Sequence, residues 1–168
     1  MEFTHVVHTF EPIFDDKSEI LILGSLPSVK SRENQFYYGH PQNRFWKVAA
    51  GIFDEQAPGT IEEKKKFLLG HHMAVWDVIA SCDIIGSSDS SIKNVVANDM
   101  DEILQQADIR CIFANGDKAY QLFRKYCRKE GQPPVHKLPS TSPANAAWNL
   151  DRLIAAWGEA TEPYLTVR

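Results

Sequence analysis

The chain has 168 residues, enough for one domain that buries roughly two thirds of its unfolded surface without a disulfide or a metal to staple it. Hydrophobic residues at 43% and charged residues at 24% are ordinary for a globular protein in water, and no apolar run nears the ~20 residues that span a bilayer, which excludes a helical membrane protein. A formal net charge of −4 gives no global attraction to nucleic acid, so any DNA contact has to be local.

The N-terminal MEFTHVVHTF lacks a basic segment followed by an apolar stretch and a small-residue cleavage site, so a cytoplasmic location is expected. Glu19 to Leu23 is an apolar run closed by Gly24, and it predicts a central strand buried on both faces. The loop Ser25 to Gln42 follows, rich in Ser, Gly, Asn and aromatics. Arg44 to Phe53 places Phe45, Val48, Ala49 and Ile52 at helical spacing, with Gly51 a weak point. Ile61 to Leu69 predicts a second helix closed by Gly70. Met73 to Ile79 predicts a strand that runs into a polar loop, Ser81 to Ser91. Met100 to Ala107 reads as helix, Asp108 to Ala114 as another buried strand, and Asn115-Gly116 as a turn. Asp117 to Glu130 is a helix with Ala119, Leu122, Phe123 and Tyr126 on one face. Pro133-Pro134 breaks the chain before a short strand, Val135 to Leu138; the loop Pro139 to Pro143 leads to an amphipathic helix, Asn145 to Trp157.

Strands alternating with helices predict an α/β fold: three layers, α/β/α, with a mostly parallel central sheet. No repeat or linker interrupts it, so residues 1–168 read as one domain, expected to be a monomer. In open sheets of this kind ligands bind outside the carboxyl ends of the strands, so the loops after Leu23, Ala114 and Leu138 should converge on one site. The three cysteines, Cys82, Cys111 and Cys127, form no CxxC pair and read as free thiols, which argues against zinc and iron–sulfur centres. No metal and no cofactor is expected.

Chemistry concentrates in three segments. Gly24-Ser25-Leu26-Pro27-Ser28 follows a strand directly; Gly24 permits close backbone approach and Pro27 fixes the turn, while neither phosphate-loop pattern is present. Tyr37-Tyr38-Gly39-His40-Pro41-Gln42-Asn43-Arg44-Phe45-Trp46 packs four aromatics, a His, an Asn and an Arg into ten residues at a loop-to-helix junction. Asn43 stands where a helix N-cap is expected, and Tyr38 is free to stack its ring on a base. Leu138-Pro139-Ser140-Thr141-Ser142-Pro143-Ala144-Asn145 offers three hydroxyls that can grip phosphates, with capping by Ser142 the plainer alternative. Lys30, Arg32, Arg44 and Lys47 form one local basic group; Arg124, Lys125, Arg128 and Lys129 form another.

Together GSLPS, QFYYGHPQNRFW and LPSTSPANA resemble the signature segments of the uracil-DNA glycosylase superfamily, and most of all its hypoxanthine-DNA glycosylase branch. Trp76-Asp77-Val78 leading to Gly86-Ser87-Ser88-Asp89-Ser90 also fits that branch. The resemblance implies a monofunctional glycosylase that cuts a deaminated base, hypoxanthine foremost, from DNA containing the damaged base. In the mismatch-specific uracil and thymine branch a catalytic Asn occupies the position of Leu26, which cannot orient water. The hypoxanthine branch relies on the Asn of HPxNxFW, here Asn43, as the catalytic residue that places water near C1′. Tyr38 is then the stacking candidate, with Gly24, Ser25, Leu26, Pro27, His40, Ser87, Ser88 and Ser140 around the base. Ser140, Thr141 and Ser142 would hold the flanking phosphates, and backbone groups of Gly24 and Ser25 would read the base edge. The alternatives are a mismatch-type uracil or thymine glycosylase, an inactive nucleic-acid-binding relative, and a serine hydrolase built on Ser25 with His136 or His40. The hydrolase lacks a nucleophile elbow.

Overall fold

The structure is a computed structural model and describes residues 2–86 and 88–166. In chain order its elements are β1 (Thr4–Val7), β2 (Ile20–Gly24), α1 (Val29–Asn34), α2 (Phe45–Ile52), α3 (Ile61–Gly70), β3 (Met73–Asp77), β4 (Ile79–Ile84) and β5 (Lys93–Ala97). After these come α4 (Asp101–Leu104), β6 (Cys111–Asn115), α5 (Asp117–Tyr126), β7 (Val135–Leu138) and α6 (Leu150–Thr161).

Ile20, Leu21, Ile22 and Leu23 are fully buried because β2 pairs in parallel with β3 on one side and β6 on the other and is covered on both faces. The central sheet is four-stranded and parallel, in the order β3-β2-β6-β7. From β2 the chain crosses to β3, and from β6 it crosses to β7 in the opposite direction. Right-handed crossovers running in opposite directions put their helices on opposite faces, which gives the three-layer arrangement read from the sequence. α5 covers β6 and β7, α3 packs on β3, and α2 packs against α6. Gly51 is the contact point of that last pair: a Cβ there would lie 2.4 Å from Ile154 Cδ1, so the weak helix former is required by close packing.

A second, antiparallel sheet, β1-β4-β5, was not legible as such. The expected polar loop from Ser81 is corrected here: Ile79–Ile84 is a strand that buries Cys82 and Ile84 and turns Ser81 and Asp83 outward. A strand with one wet face carries a polar residue at alternate positions, and this one imitates a loop. The last helix begins at Leu150, not Asn145, with Asn149 as its N-cap accepting the Arg152 N–H at 2.9 Å. α4 is shorter than the expected Met100 to Ala107, and α5 ends at Tyr126 instead of Glu130. No helix among the described residues is long and apolar enough to cross a membrane.

Glu19, at the start of β2, anchors the C-terminal end of the described chain. Its carboxylate accepts from the Thr166 N–H at 3.0 Å and the Thr166 hydroxyl at 2.9 Å, and pairs with His72 at 3.0 Å and Arg110 at 3.1 Å. Burial opposes the ion, but the Thr166 and His72 hydrogen bonds and the Arg110 charge overcome it and hold the pKa below its ordinary value of 4.5. A carboxylate with a depressed folded-state pKa stabilises above the unfolded value and loses that contribution as pH falls through the folded one. Glu19→Gln should therefore melt below the parent at pH 7, and the two melting temperatures should approach each other as pH falls below about 4.5 in thermal denaturation.

Candidate active site

At the carboxyl ends of the parallel strands lies a cleft of about 660 Å³. Gly24, Ser25, Leu26 and Pro27 line it from the loop after β2, Asn115 and Gly116 from the end of β6, and Ser140, Thr141 and Ser142 from the loop after β7. The three loops do converge. Tyr38, His40 and Asn43 enter from the aromatic segment, and Asp77 from the end of β3. Leu26 offers the cleft carbon atoms only, and the Gly24 and Ser25 carbonyls are engaged by the N–H groups of Val78, at 2.8 Å, and Ile79, at 3.1 Å. Those two carbonyls are thus engaged in the reversal of the chain after β3.

The aromatic segment is rigid for stated reasons. The buried Tyr37 hydroxyl donates to the Glu11 carbonyl at 2.8 Å, and the Trp46 ring N–H donates to the Tyr37 carbonyl at 3.3 Å. Tyr38 takes a left-handed backbone conformation, φ 51°, and lays its ring on Phe45 with centroids 4.1 Å apart and planes 15° from parallel. One ring face is therefore fixed by Phe45. Burial, reinforced by the Asp77 charge, pushes the Tyr38 hydroxyl above its ordinary pKa and keeps it protonated.

Asn43 precedes α2 by two positions, and its Oδ1 accepts the Phe45 N–H at 2.9 Å. The helix-capping reading of Asn43 holds in substance, one residue before the position named as the cap, Arg44, whose side chain does no capping. The same Oδ1 accepts the Thr141 hydroxyl at 2.9 Å. Because a backbone N–H can only donate, the orientation of the amide is fixed, and the group left for the cleft is the Nδ2 donor.

Thr141 is the hub of this arrangement and is fully buried. Its hydroxyl donates to Asn43 and accepts from Asn115 Nδ2 at 3.0 Å, while its N–H donates to Asn115 Oδ1 at 3.0 Å. The expected phosphate contact of Thr141 is corrected accordingly: a hydroxyl enclosed between two amides does not reach DNA. Thr141→Val keeps the shape and leaves both amides short of a partner, at a cost of about 1–3 kcal/mol. We expect a lower melting temperature and at least a tenfold slower turnover, checked by calorimetry and a rate assay on the same preparation.

Arg44 belongs to the same scaffold and not to a DNA-facing basic group. Its guanidinium donates to the carbonyls of Ser142 at 2.8 Å, Asn145 at 3.1 Å, Thr141 at 3.4 Å, and Trp148. Four carbonyls on one planar fork hold the loop after β7 against the start of α2. Ser142 caps its own turn, Oγ accepting the Ala144 N–H at 3.2 Å, and Ser140 Oγ accepts the Ser142 N–H at 3.1 Å. Both hydroxyls keep a hydrogen to donate toward the cleft. Ser88 is not brought to the cleft wall: it is exposed and pairs with Ser90 at 3.1 Å, while Gly86 and Asp89 line the cleft beside it. Ser87 lies outside the described residues.

One cleft-lining group, Asp77, and its buried partner, His8, escaped the sequence reading as site residues. Asp77 is 3% exposed, and a Cβ on Gly24 would sit 2.4 Å from Asp77 Oδ1. Gly24 is needed for this carboxylate, which leans across it, more than for a ligand. Asp77 Oδ2 pairs with His8 Nε2 at 2.9 Å, and both side chains are withdrawn from solvent. The signal was faint: an acidic residue closing an apolar strand in register with a strand that closes on glycine. Among the described residues no group of three or more His, Cys, Asp or Glu side chains is placed to hold a metal ion. Cys82, Cys111 and Cys127 are buried free thiols, and burial pushes Cys111 and Cys127 up to about 11.

Comparison with known proteins agrees with this geometry. The family model of the uracil DNA glycosylase superfamily matches residues 11–161. The chain is 36% identical over 145 residues to a hypoxanthine DNA glycosylase of Methanosarcina acetivorans, covering 85% of this chain and 90% of that one. It is 32% identical over 112 residues to the hypoxanthine DNA glycosylase of Methanosarcina barkeri, covering 66% and 71%. It superposes with a TM-score of 0.76 on the solution NMR structure of a Methanosarcina acetivorans protein provisionally described as a uracil DNA glycosylase, at 33% identity and covering 92% of this chain and 96% of that one. With that match across nearly all of its folded residues, the chain belongs to the uracil DNA glycosylase superfamily.

Proposed function

We propose that this protein is a monofunctional DNA glycosylase that hydrolyses the N-glycosidic bond of deoxyinosine, releasing hypoxanthine. One observation carries the reading: Asn43 lines the cleft with its carbonyl oxygen engaged by Phe45 and Thr141, which leaves its amide N–H as the group free to meet substrate. Cleavage proceeds through a sugar of oxocarbenium character, which needs a water near C1′ and an acceptor for the charge of the departing purine. The Asn43 N–H holds that water by one lone pair and leaves the other for the carbon. A strongly electrophilic carbon accepts attack from neutral water: the C1′–N9 bond breaks, the new C–O bond forms, and the water's proton passes through solvent to the departing hypoxanthine anion. The side chain at Leu26 takes no part in proton transfer.

Asp77 supplies the selection. Deamination of adenine turns ring N1 from a lone-pair acceptor into an N–H donor beside a carbonyl, and an ionised carboxylate attracts the second and repels the first. Uracil and xanthine present the same N–H and are the secondary substrates. The base leaves the stack at a cost of a few kcal/mol, lowest for a weak mispair such as inosine, and Ser140 and Ser142 hold the flanking phosphates. No metal takes part. Oligonucleotides bearing inosine, uracil, xanthine or a mismatched T, incubated with the protein and EDTA and then treated with alkali, test this. Strongest cleavage at inosine, with none before alkali, is expected; no abasic site at any of the four bases, or activity abolished by EDTA, would contradict it.

A further inference from the structure

His8 and Asp77 are separated by 69 positions, with β2 and three helices between them, yet they meet beneath the cleft with side chains 2% and 5% exposed. A carboxylate so enclosed needs a hydrogen-bond donor in place of the water it has lost. His8 is that donor, because an ionised carboxylate only accepts and Nε2 must therefore carry the hydrogen. The imidazole is itself seated by rings: Phe10 at 4.4 Å and Tyr37 at 5.8 Å between centroids. Its backbone N–H is tied to the Ala80 carbonyl at 2.8 Å. The pair thus joins the segment after β1 to the end of β3, with only the second oxygen, Oδ1, left beside the cleft over Gly24.

We infer that His8 is a positioning residue that holds Asp77 Oδ2 and so aims Oδ1 at the cleft, and through it makes the pocket accept bases with a ring N–H and refuse those with a ring lone pair. This rests on the glycosylase reading above. Oδ1 is an acceptor matched to hypoxanthine N1–H, and it meets the N1 lone pair of adenine with a lone pair of its own. The other ionisable groups that face the carboxylate are Tyr37 and Tyr38, both held protonated by burial and by the Asp77 charge, while Glu11 and Glu102 act on Tyr37 from farther off. From the segment after β5, Asn98 Nδ2 donates to the Asp77 backbone carbonyl at 2.8 Å and leaves the carboxylate alone. No Lys or Arg side chain pairs with Asp77 among the described residues.

Single-turnover release of free base from inosine and from adenosine duplexes, between pH 5.5 and 9, tests the proposal in the parent protein, His8→Leu and His8→Gln. The Leu variant should release hypoxanthine roughly 10- to 100-fold more slowly and discriminate less against adenine, with DNA binding unchanged. The Gln variant, whose amide also donates, should recover most of the parent rate and selectivity. A Leu variant with the parent's rate and selectivity overturns the proposal, and so does a Gln variant as impaired as the Leu variant with an equal loss of melting temperature. A parent protein that releases no hypoxanthine defeats instead the glycosylase reading on which the proposal stands.

Discussion

Asn43→Ala should slow hypoxanthine release by roughly 10²- to 10³-fold, the usual consequence of deleting one aimed hydrogen-bond donor from an active site. Alanine also strips the Phe45 N–H and the Thr141 hydroxyl of their acceptor, so about 1–3 kcal/mol of stability should go with it. Asn43→Asp separates the two effects. A carboxylate still accepts from Phe45 and Thr141, and the fold should survive, but no N–H faces the cleft. On the donor account the Asp variant is as slow as the Ala variant while melting close to the parent. An Asp variant faster than the parent would mean that this position acts as a base. Rates from quenched single-turnover assays and melting temperatures from the same preparations decide between them.

Gly24→Ala is the second change with a large expected effect. The glycine has an ordinary negative φ, so the backbone has no objection to alanine; the objection is the Asp77 carboxylate 2.4 Å from the new methyl. β2 is clamped between β3 and β6 and cannot withdraw, so the carboxylate must move. Displacing it breaks the contact to His8 and removes the acceptor from the cleft floor. Overpacking of this kind costs about 1–3 kcal/mol. That corresponds to a fall of about 2–12 °C in melting temperature at this chain length. Release of hypoxanthine should fall at least 100-fold, well beyond what partial unfolding at 25 °C explains. Gly24→Ala combined with Asp77→Ala should melt higher than Gly24→Ala alone and stay inactive; if the double variant is no more stable, the clash is not with Asp77.

The parts of the fold that could be read from the sequence are those where burial on both faces leaves no choice of residue. Ile20 to Leu23 and Ile112 to Ala114 stand out as apolar runs for that reason. β1 and β5 belong to the small antiparallel sheet and are mostly exposed, with Lys93 and Asn94 in the latter, so no run or clean alternation marks them. The start of α6 was misplaced because Ala144 to Trp148 has helical composition, while the Arg44 guanidinium takes the carbonyls of Asn145 and Trp148 that a helix would need.

At the site, Asn43 and the loops around it were legible because their chemistry is local. Its donor polarity was not, since that depends on the turn that brings the Phe45 N–H onto Oδ1, an oxygen it shares with the hydroxyl of Thr141, 98 positions away. The phosphate role given to Thr141 failed for the same reason: nothing in Leu138 to Asn145 says that one of three adjacent hydroxyls points inward to Asn115. Asp77 and His8 lie in segments that look structural, and the sheet register alone brings the carboxylate beside Gly24.

The most direct test of the account is the free base released under single-turnover conditions, with EDTA present, from two duplexes that differ only in deoxyinosine or deoxyadenosine at one position. Hypoxanthine should appear from the first, and adenine from the second should be released at least ~10³-fold more slowly, the scale on which a site built to bond an N–H rejects a base lacking it. Absence of hypoxanthine, or adenine released at a similar rate, would contradict it.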